Sequence, residues 1–212
     1  MKKKPVLTLP EYIRLFQVIA AVLDSVEANT ERACLFFAIT GAFLIEHVHK
    51  RPARPVAGAA FYRVDDETGF TIAYGRLEEN EPICDQKAFH CWIECEGTII
   101  DLMAPIFHES VASAGRKERV VRKSFQKPVS RMSDSPYNLT REGDFFLHRD
   151  PALTMELIQT FMQKPANGDL VNVCEHWYRR PPKSIQPTIQ MGSNDGSVTT
   201  IHLKDIELEG AW

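Results

Sequence analysis

Apolar positions in the first part of the chain predict two helices. Between residues 9 and 27 the apolar side chains recur with the period of an amphipathic helix. Residues 34–45 are apolar on almost every side, which is typical of a helix that the rest of a domain covers. Asn29 or Thr30 can cap this second helix, and we predict that it runs to about His49.

A break over residues 51–55, which contains two prolines, ends the helical pattern, and strand-like segments follow. Two strands are predicted over residues 56–64 and 70–75, and a stronger pair over residues 88–95 and 98–103. Because helices come first and an antiparallel sheet follows, the pattern predicts the α+β class.

The second half of the chain gives weaker patterns. Residues 108–150 are polar and punctuated by prolines, and they predict no definite element. A helix is predicted over residues 151–163 and another short element over residues 168–178. Residues 185–206 predict a hairpin with its turn at residues 193–196.

Composition narrows the class of protein. A chain of 212 residues, 44% hydrophobic and 25% charged, predicts a single domain over residues 1–212, with a core over about 9–105 and an elaboration over 106–212. The net charge of −3 gives no reason to expect nucleic acid or a membrane as partner, and no stretch has the length of a transmembrane span. Five cysteines without regular spacing indicate a reduced, cytoplasmic protein.

Cys34 is the first candidate for chemistry. It falls in about the second turn of the predicted second helix. Free N–H groups and the helix dipole near a helix start favour a thiolate over a thiol, and the thiolate is the better nucleophile. Free cysteine is also among the most buried residue types, so a cysteine such as Cys34, taken alone, is more often a core residue than a catalytic one.

The alternation of the predicted strand over residues 88–95 indicates which side chains share a face with His90. Alternation places His90 and Trp92 on one face. Cys91 and Cys95 fall on the opposite, apolar face. Trp92 is therefore a candidate for the wall of a substrate site beside His90, with ordinary core packing as the alternative.

The turn at Glu96-Gly97 decides where Asp101 lies. A two-residue turn pairs Cys95 with Thr98, and Asp101 then shares a face with His90, within reach of a side-chain hydrogen bond. A three-residue loop would move Asp101 to the other face. Since an unpaired carboxylate in an apolar strand is costly, a histidine partner explains Asp101.

Cys34, His90 and Asp101 therefore have the three roles of a nucleophilic triad. The chain resembles the transglutaminase-like and arylamine N-acetyltransferase branch of the papain-like superfamily. The resemblance rests on the order of its motifs: a cysteine near the start of a buried helix, then His-x-Trp-x-Glu, a glycine turn and Ile-Ile-Asp-Leu. The resemblance covers about residues 30–105 and is greatest to an uncharacterised bacterial family of that fold. It implies a buried helix with Cys34, packed on an antiparallel sheet with His90 and Asp101. It also implies Cys34 as nucleophile, His90 as general base and acid, and Asp101 as the orienting carboxylate.

We therefore expect a cysteine-dependent hydrolase or acyltransferase that forms a thioester with a peptide, amide or other acyl substrate and needs no cofactor. No glutamine stands shortly before Cys34 to act as an oxyanion donor, so the donors would be backbone N–H groups near Cys34 or another residue. The alternative is a non-catalytic domain of the same fold that binds a peptide or protein partner in its cleft. The sequence leaves open the substrate, the choice between hydrolysis and transfer, and the oligomeric state.

A zinc site is the rival interpretation of one segment. Its potential ligands are Cys84, His90, Cys91 and Cys95. No C-x2-C spacing is present, and alternation separates the two strand cysteines from the histidine, so we predict no metal site. Cys174 and His176, two residues apart on what we interpret as a strand, are predicted to be structural or surface residues.

Overall fold

Two helices open the chain, in the order that the apolar period predicts. The computed structural model describes residues 4–28 and 33–212, and in it α1 spans Leu9–Ser25 and α2 spans Cys34–His49. A capping box fixes the start of α1, since the backbone N–H of Thr8 donates to the Glu11 carboxylate at 2.8 Å while the Thr8 hydroxyl accepts from the Glu11 N–H.

The predicted start of α2 is wrong. The residue before the helix is Ala33, which offers no side-chain cap, and Cys34 is the first helical residue rather than a residue of the second turn. Asn29 and Thr30, the predicted caps, lie outside the described residues. Capping preference therefore did not decide this helix start, although the apolar run correctly predicted its body.

Strands and three further helices follow α2. The strands are, in chain order, β1 (Ala53–Arg63), β2 (Thr71–Tyr74), β3 (Arg76–Glu78), β4 (Glu81–Ile83), β5 (His90–Cys95), β6 (Thr98–Asp101), β7 (Phe125–Pro128), β8 (Phe145–Arg149), β9 (Thr188–Gly192) and β10 (Val198–His202). The helices are α3 (Phe107–Ser113), α4 (Pro151–Met162) and α5 (Pro165–Trp177). Short 3-10 turns precede α3 and lie between β7 and β8.

One antiparallel sheet of six strands forms the centre of the fold. Its order is β2-β1-β5-β6-β7, and β8 also pairs with β1. The pairs β3-β4 and β9-β10 form separate two-stranded sheets, and the latter is the predicted C-terminal hairpin. Helices packed against this sheet confirm the α+β class.

Helix α2 lies directly on strands β1 and β5. A Cβ atom added at Gly41 would come within 2.5 Å of Leu102 Cδ1 and 2.6 Å of Ile93 Cδ1, so the glycine permits the close approach of helix and sheet. This contact brings the first turn of α2 to the sheet face that includes Ile93.

The β5–β6 hairpin turns as predicted. Glu96 and Gly97 have φ values of 48° and 75°, which is the two-residue turn with both central residues in the left-handed region. Cys95 pairs with Thr98, and Ile93 pairs with Ile100. The register on which the position of Asp101 depends is therefore confirmed.

Several predicted boundaries differ from the structure. Residues 51–55 are not a full break, because β1 begins at Ala53 and Pro55 pairs with Ile93 of β5. The other neighbour, β8, pairs with β1 only from Gly58 onward, so the missing N–H of Pro55 costs no ladder bond on that side.

The weakly patterned second half contains regular elements. Residues 108–150 include most of α3 and all of β7 and β8, whose short lengths gave no clear period. The short element predicted over residues 168–178 is part of α5, a helix rather than a strand. No helix within residues 4–28 and 33–212 is both long and apolar enough to cross a membrane. The division into one core with an elaboration stays a prediction.

Candidate active site

His90 is held by Asp101 inside the protein. The Nε2 atom of His90 lies 2.6 Å from Oδ2 of Asp101, and the two side chains are 1% and 0% exposed. This contact follows from the turn of the β5–β6 hairpin, which sets both residues on one face of the sheet. The predicted geometry is confirmed. Because Nε2 is bound to the carboxylate, Nδ1 is the ring nitrogen that remains for another partner.

Further groups fix Asp101 in place. The Tyr62 hydroxyl donates to Oδ2 at 2.7 Å, and the Met103 backbone N–H donates to Oδ1 at 2.9 Å. The Tyr12 hydroxyl donates to the backbone carbonyl oxygen of Asp101. A buried carboxylate with this set of donors is compensated for its lost hydration and is held in one orientation toward His90.

Cys34 lies at the start of α2, at the wall of a cleft. The cleft has a volume of about 680 Å³, and its wall includes Cys34, His90, Tyr74, Lys87 and Ser110. Cys34 is only 7% exposed, so a reagent must enter the cleft to reach the sulfur. The structure thus brings the three predicted triad residues together, two of them at the cleft and Asp101 behind them.

Neighbouring groups favour the thiolate form of Cys34. A hydrogen bond from the Cys91 thiol has the largest effect on the pKa of Cys34, burial opposes it, and the His90 imidazole adds a hydrogen bond and a charge. Together these contacts lower the pKa of Cys34 to about 5. Two opposite charges side by side in a buried site stabilise each other, and the thiolate is the more reactive form of a cysteine.

His90 is correspondingly held in its protonated form. Burial lowers the pKa of His90, but the charge and hydrogen bond of Asp101 and the contact with Cys34 outweigh that effect and raise the pKa to about 10. Between the two pKa values the site is therefore a thiolate–imidazolium pair with a carboxylate behind the imidazolium.

Cys91 is a site residue that the sequence reasoning set aside. Alternation placed it on the face away from His90, and that face proves to be the one on which α2 packs, as the contact of Ile93 with Gly41 indicates. Cys34 therefore contacts the Cys91 thiol as well as the imidazole. Burial raises the pKa of Cys91 well above its usual value, and the Cys34 sulfur raises it further, so this thiol stays a donor.

Trp92 does not line the cleft. It is 1% exposed, its indole N–H donates to Glu94 Oε1 at 3.3 Å, and its ring packs close to the backbone of Gly58. The aromatic wall beside His90 is Tyr74 instead, whose ring stacks on the imidazole with a centroid distance of 4.3 Å and an interplanar angle of 16°. Tyr74 reaches the imidazole because β2 pairs with β1; the sequence predicted both strands but not their register.

Among the described residues 4–28 and 33–212, two hydroxyl groups of the cleft wall have no hydrogen-bond partner of standard geometry. They belong to Tyr74 and Ser110, and both oxygen atoms are buried. Burial raises the pKa of Tyr74, and the neighbouring Ser110 hydroxyl opposes that rise only in part. Buried hydroxyls without a partner of good geometry are uncommon, so these two are unusual features of the cleft wall.

The candidate zinc ligands of the cysteine-rich segment do not form a group of three in the described part of the chain. Among residues 4–28 and 33–212, no group of three His, Cys, Asp or Glu side chains is placed to hold a metal ion. Cys84 instead approaches Asp150 Oδ2, with a distance of 3.7 Å between sulfur and oxygen. Cys174 and His176 lie on helix α5, where Cys174 is fully buried and His176 Nδ1 donates to the backbone carbonyl of Asn172 at 2.8 Å.

The fold and the site define an α+β protein with a cysteine–histidine–aspartate constellation at a cleft. The chain belongs to the family described as "Protein of unknown function (DUF2026)", whose model matches residues 8–212. A crystal structure described only as a genomics target is similar, with a TM-score of 0.87 and 30% sequence identity, over 99% of this chain and 98% of that chain. No curated protein matches the chain. Neither description names a reaction, so the function is argued from the site.

Proposed function

We propose that the protein is a cysteine-dependent hydrolase or acyltransferase with a papain-like or transglutaminase-like fold. Cys34 is the nucleophile, His90 the general acid and base, and Asp101 the group that orients His90. The observation that supports this most is the position of one imidazole, which contacts the Cys34 sulfur and is anchored at 2.6 Å to a buried carboxylate. The fold assignment rests on the helix α2, which begins with the cysteine and packs on the antiparallel sheet that contains the histidine.

In the first step the Cys34 thiolate attacks the carbonyl carbon of the substrate, and a C–S bond forms. When the tetrahedral species collapses, the leaving group takes the proton from Nδ1 of His90 and a thioester remains. Water or an amine then loses a proton to Nδ1 as it attacks the thioester, and the thiolate departs. Throughout, Nε2 stays on Asp101, which holds the ring in the orientation that both proton transfers require.

The oxyanion is expected at the N-terminus of α2. The first N–H groups of an α-helix have no acceptor within the helix, and the positive end of the dipole favours negative charge there. Since Cys34 is the first helical residue, its own N–H and those of the next two residues are the backbone donors that we assign to the oxyanion. This arrangement needs no glutamine side chain before the cysteine.

The decisive test is the chemistry of Cys34 with a neutral reagent and with a simple ester. Iodoacetamide at pH 6, followed by peptide mapping, should label Cys34 much faster than Cys84, whose pKa burial raises. Mixing with p-nitrophenyl acetate should give a stoichiometric burst of nitrophenol that is lost in Cys34→Ala and retained in the matched variant Cys84→Ala.

Two outcomes would contradict the proposal. One is labelling of Cys34 no faster than labelling of Cys84 in the native protein. The other is a burst of equal size in Cys34→Ala. Either result would favour the alternative of a non-catalytic domain that binds a peptide or protein in the cleft, and isothermal titration with peptide libraries would then be the appropriate experiment.

A further inference from the structure

The described wall of the cleft contains basic side chains and no carboxylate. Apart from His90, the charged residue in its wall is Lys87, and none of the described lining residues is Asp or Glu. Lys87 is exposed, and within residues 4–28 and 33–212 no ion pair joins it to a carboxylate. Since the charge of His90 is balanced by Cys34 and Asp101, the Lys87 ammonium group is the cation that this protein of net charge −3 presents in the cleft wall.

The turn that presents Lys87 is fixed by Asp85. One carboxylate oxygen of Asp85 accepts the backbone N–H groups of Lys87 and Ala88 at 2.8 and 3.0 Å. The other oxygen accepts from the Arg76 guanidinium at 2.7 Å. Asp85 is therefore engaged with the backbone and with Arg76, which leaves the Lys87 ammonium group free of its nearest acidic neighbour in sequence.

The next acidic group near this turn is also engaged. Glu156 accepts a hydrogen bond from the side-chain amide of Gln86, the residue before Lys87. The cleft wall adds the buried hydroxyls of Tyr74 and Ser110, which have donor capacity and no firm partner. Ammonium and hydroxyl donors with no competing acceptor form the environment that a carboxylate requires.

We propose that the cleft takes an acyl substrate with a carboxylate close to the reacting carbonyl group, and that Lys87 binds this carboxylate. The inference rests on the proposed function, because it assigns the substrate class of the same site. With a volume of about 680 Å³, the cleft has room for a small dicarboxylic or amino-acid-derived acyl group beside Cys34. Lys87 is then a specificity-determining residue and takes no part in bond making.

Two reagents of nearly equal size test the charge preference at Cys34 directly. Iodoacetate carries a carboxylate and iodoacetamide a neutral amide, and both alkylate the same sulfur. The rates are measured by peptide mapping at pH 7 and low salt for the native protein, Lys87→Met, Lys87→Arg and the matched variant Lys50→Met. Lys50 is exposed and follows the last residue of α2, roughly 24 Å along the helix axis from Cys34.

In Lys87→Met we expect the iodoacetate rate to fall about three- to tenfold, and the iodoacetamide rate to change by less than about twofold, since one cation near the path is lost. Lys87→Arg should retain the iodoacetate rate, Lys50→Met should behave as the native protein, and high salt should remove the difference. An unchanged ratio of the two rates in Lys87→Met, with Cys34 still rapidly labelled, would overturn this inference alone. Slow labelling of Cys34 by both reagents in the native protein would overturn the proposed function and this inference with it.

Discussion

Replacing Cys91 tests whether its thiol, in addition to the His90 imidazole, lowers the pKa of Cys34. The Cys91 thiol has the largest effect on the pKa of Cys34, which lies at about 5. In Cys91→Ala the thiol donor is lost, while the backbone N–H of that residue and the His90 imidazole remain. The pKa of Cys34 should therefore rise without reaching the ordinary value.

The size of the rise follows from the strength of the bond. A hydrogen bond to a charged group contributes about 1.5–3 kcal/mol, and a thiol is a weak donor, so the lower end applies. About 1.4 kcal/mol corresponds to one pKa unit, so the midpoint of Cys34 should rise by about one unit. At pH 5 the thiolate fraction, and with it the labelling rate, should fall roughly fivefold. At pH 8 the two proteins should react at nearly equal rates.

The assay is the pH dependence of iodoacetamide labelling at Cys34, read by peptide mapping from pH 4 to pH 9. Two variants accompany Cys91→Ala. Cys91→Ser keeps a donor at the same position and should retain the low midpoint. Cys95→Ala makes the same deletion at a buried cysteine on the same strand, about 13 Å farther along, and should leave the midpoint unchanged. Thermal unfolding of each variant shows that the fold is intact.

Two results would refute the reasoning. If the midpoint in Cys91→Ala stays that of the native protein, the thiol does not stabilise the Cys34 anion. If Cys95→Ala shifts the midpoint by the same amount, the effect comes from a general change in packing and not from the hydrogen bond.

Three further predictions concern the groups behind the nucleophile. The rate of ester hydrolysis should follow a bell-shaped pH profile, with an acid limb near pH 5 as Cys34 gains a proton and a basic limb near pH 10 as His90 loses one; a single sigmoid over that range would contradict the thiolate–imidazolium pair. Asp101→Asn should lower kcat/KM about 100-fold or more and move the basic limb to lower pH, because the Asp101 charge raises the pKa of His90. A basic limb that stays at the same pH in the pH–rate profile would show that this charge does not set the pKa of His90. Tyr62→Phe removes the donor to Asp101 Oδ2 and should cost about 2 kcal/mol, or roughly 4 to 8 °C in Tm by calorimetry. The exposed Tyr137→Phe should shift Tm far less, and equal shifts would contradict the role of the buried bond.

The sequence predicted the local geometry of the site better than its surroundings. The partnership of His90 and Asp101 could be predicted because it depends on one hairpin, and the turn at Glu96-Gly97 fixes its register. The body of α2 could be predicted because an all-apolar run must be covered. Its first residue could not, since Ala33 has no capping preference and tertiary packing decided the start.

Tyr62 and Tyr74, which the sequence reasoning missed, join the site through the pairing of strands. Tyr62 reaches Asp101 because β1 is the neighbour of β5, and Tyr74 reaches the imidazole because β2 pairs with β1. The sequence predicts the strands over residues 56–64 and 70–75, but not which strands they pair with or in what register. The positions of Trp92 and Cys91 relative to the cleft could not be predicted either. Alternation assigns each to a face, but only the position of the helix decides which face meets the cysteine.

The position of Cys91 also explains how Cys34 can be buried at the wall of the cleft and still have a lowered pKa. A cysteine among apolar side chains has its pKa raised by burial, as Cys174 shows. The pKa of Cys34 is not raised in this way, because two neighbouring residues at the start of β5 act on its sulfur. The Cys91 thiol and the His90 imidazole both form hydrogen bonds to it. The start of β5, next to the start of α2, therefore provides Cys34 with the imidazole that we propose as the general base, and with a second hydrogen-bond donor from Cys91. The aspartate can then lie fully buried behind the imidazole, because the substrate needs only the side of the site that faces the cleft.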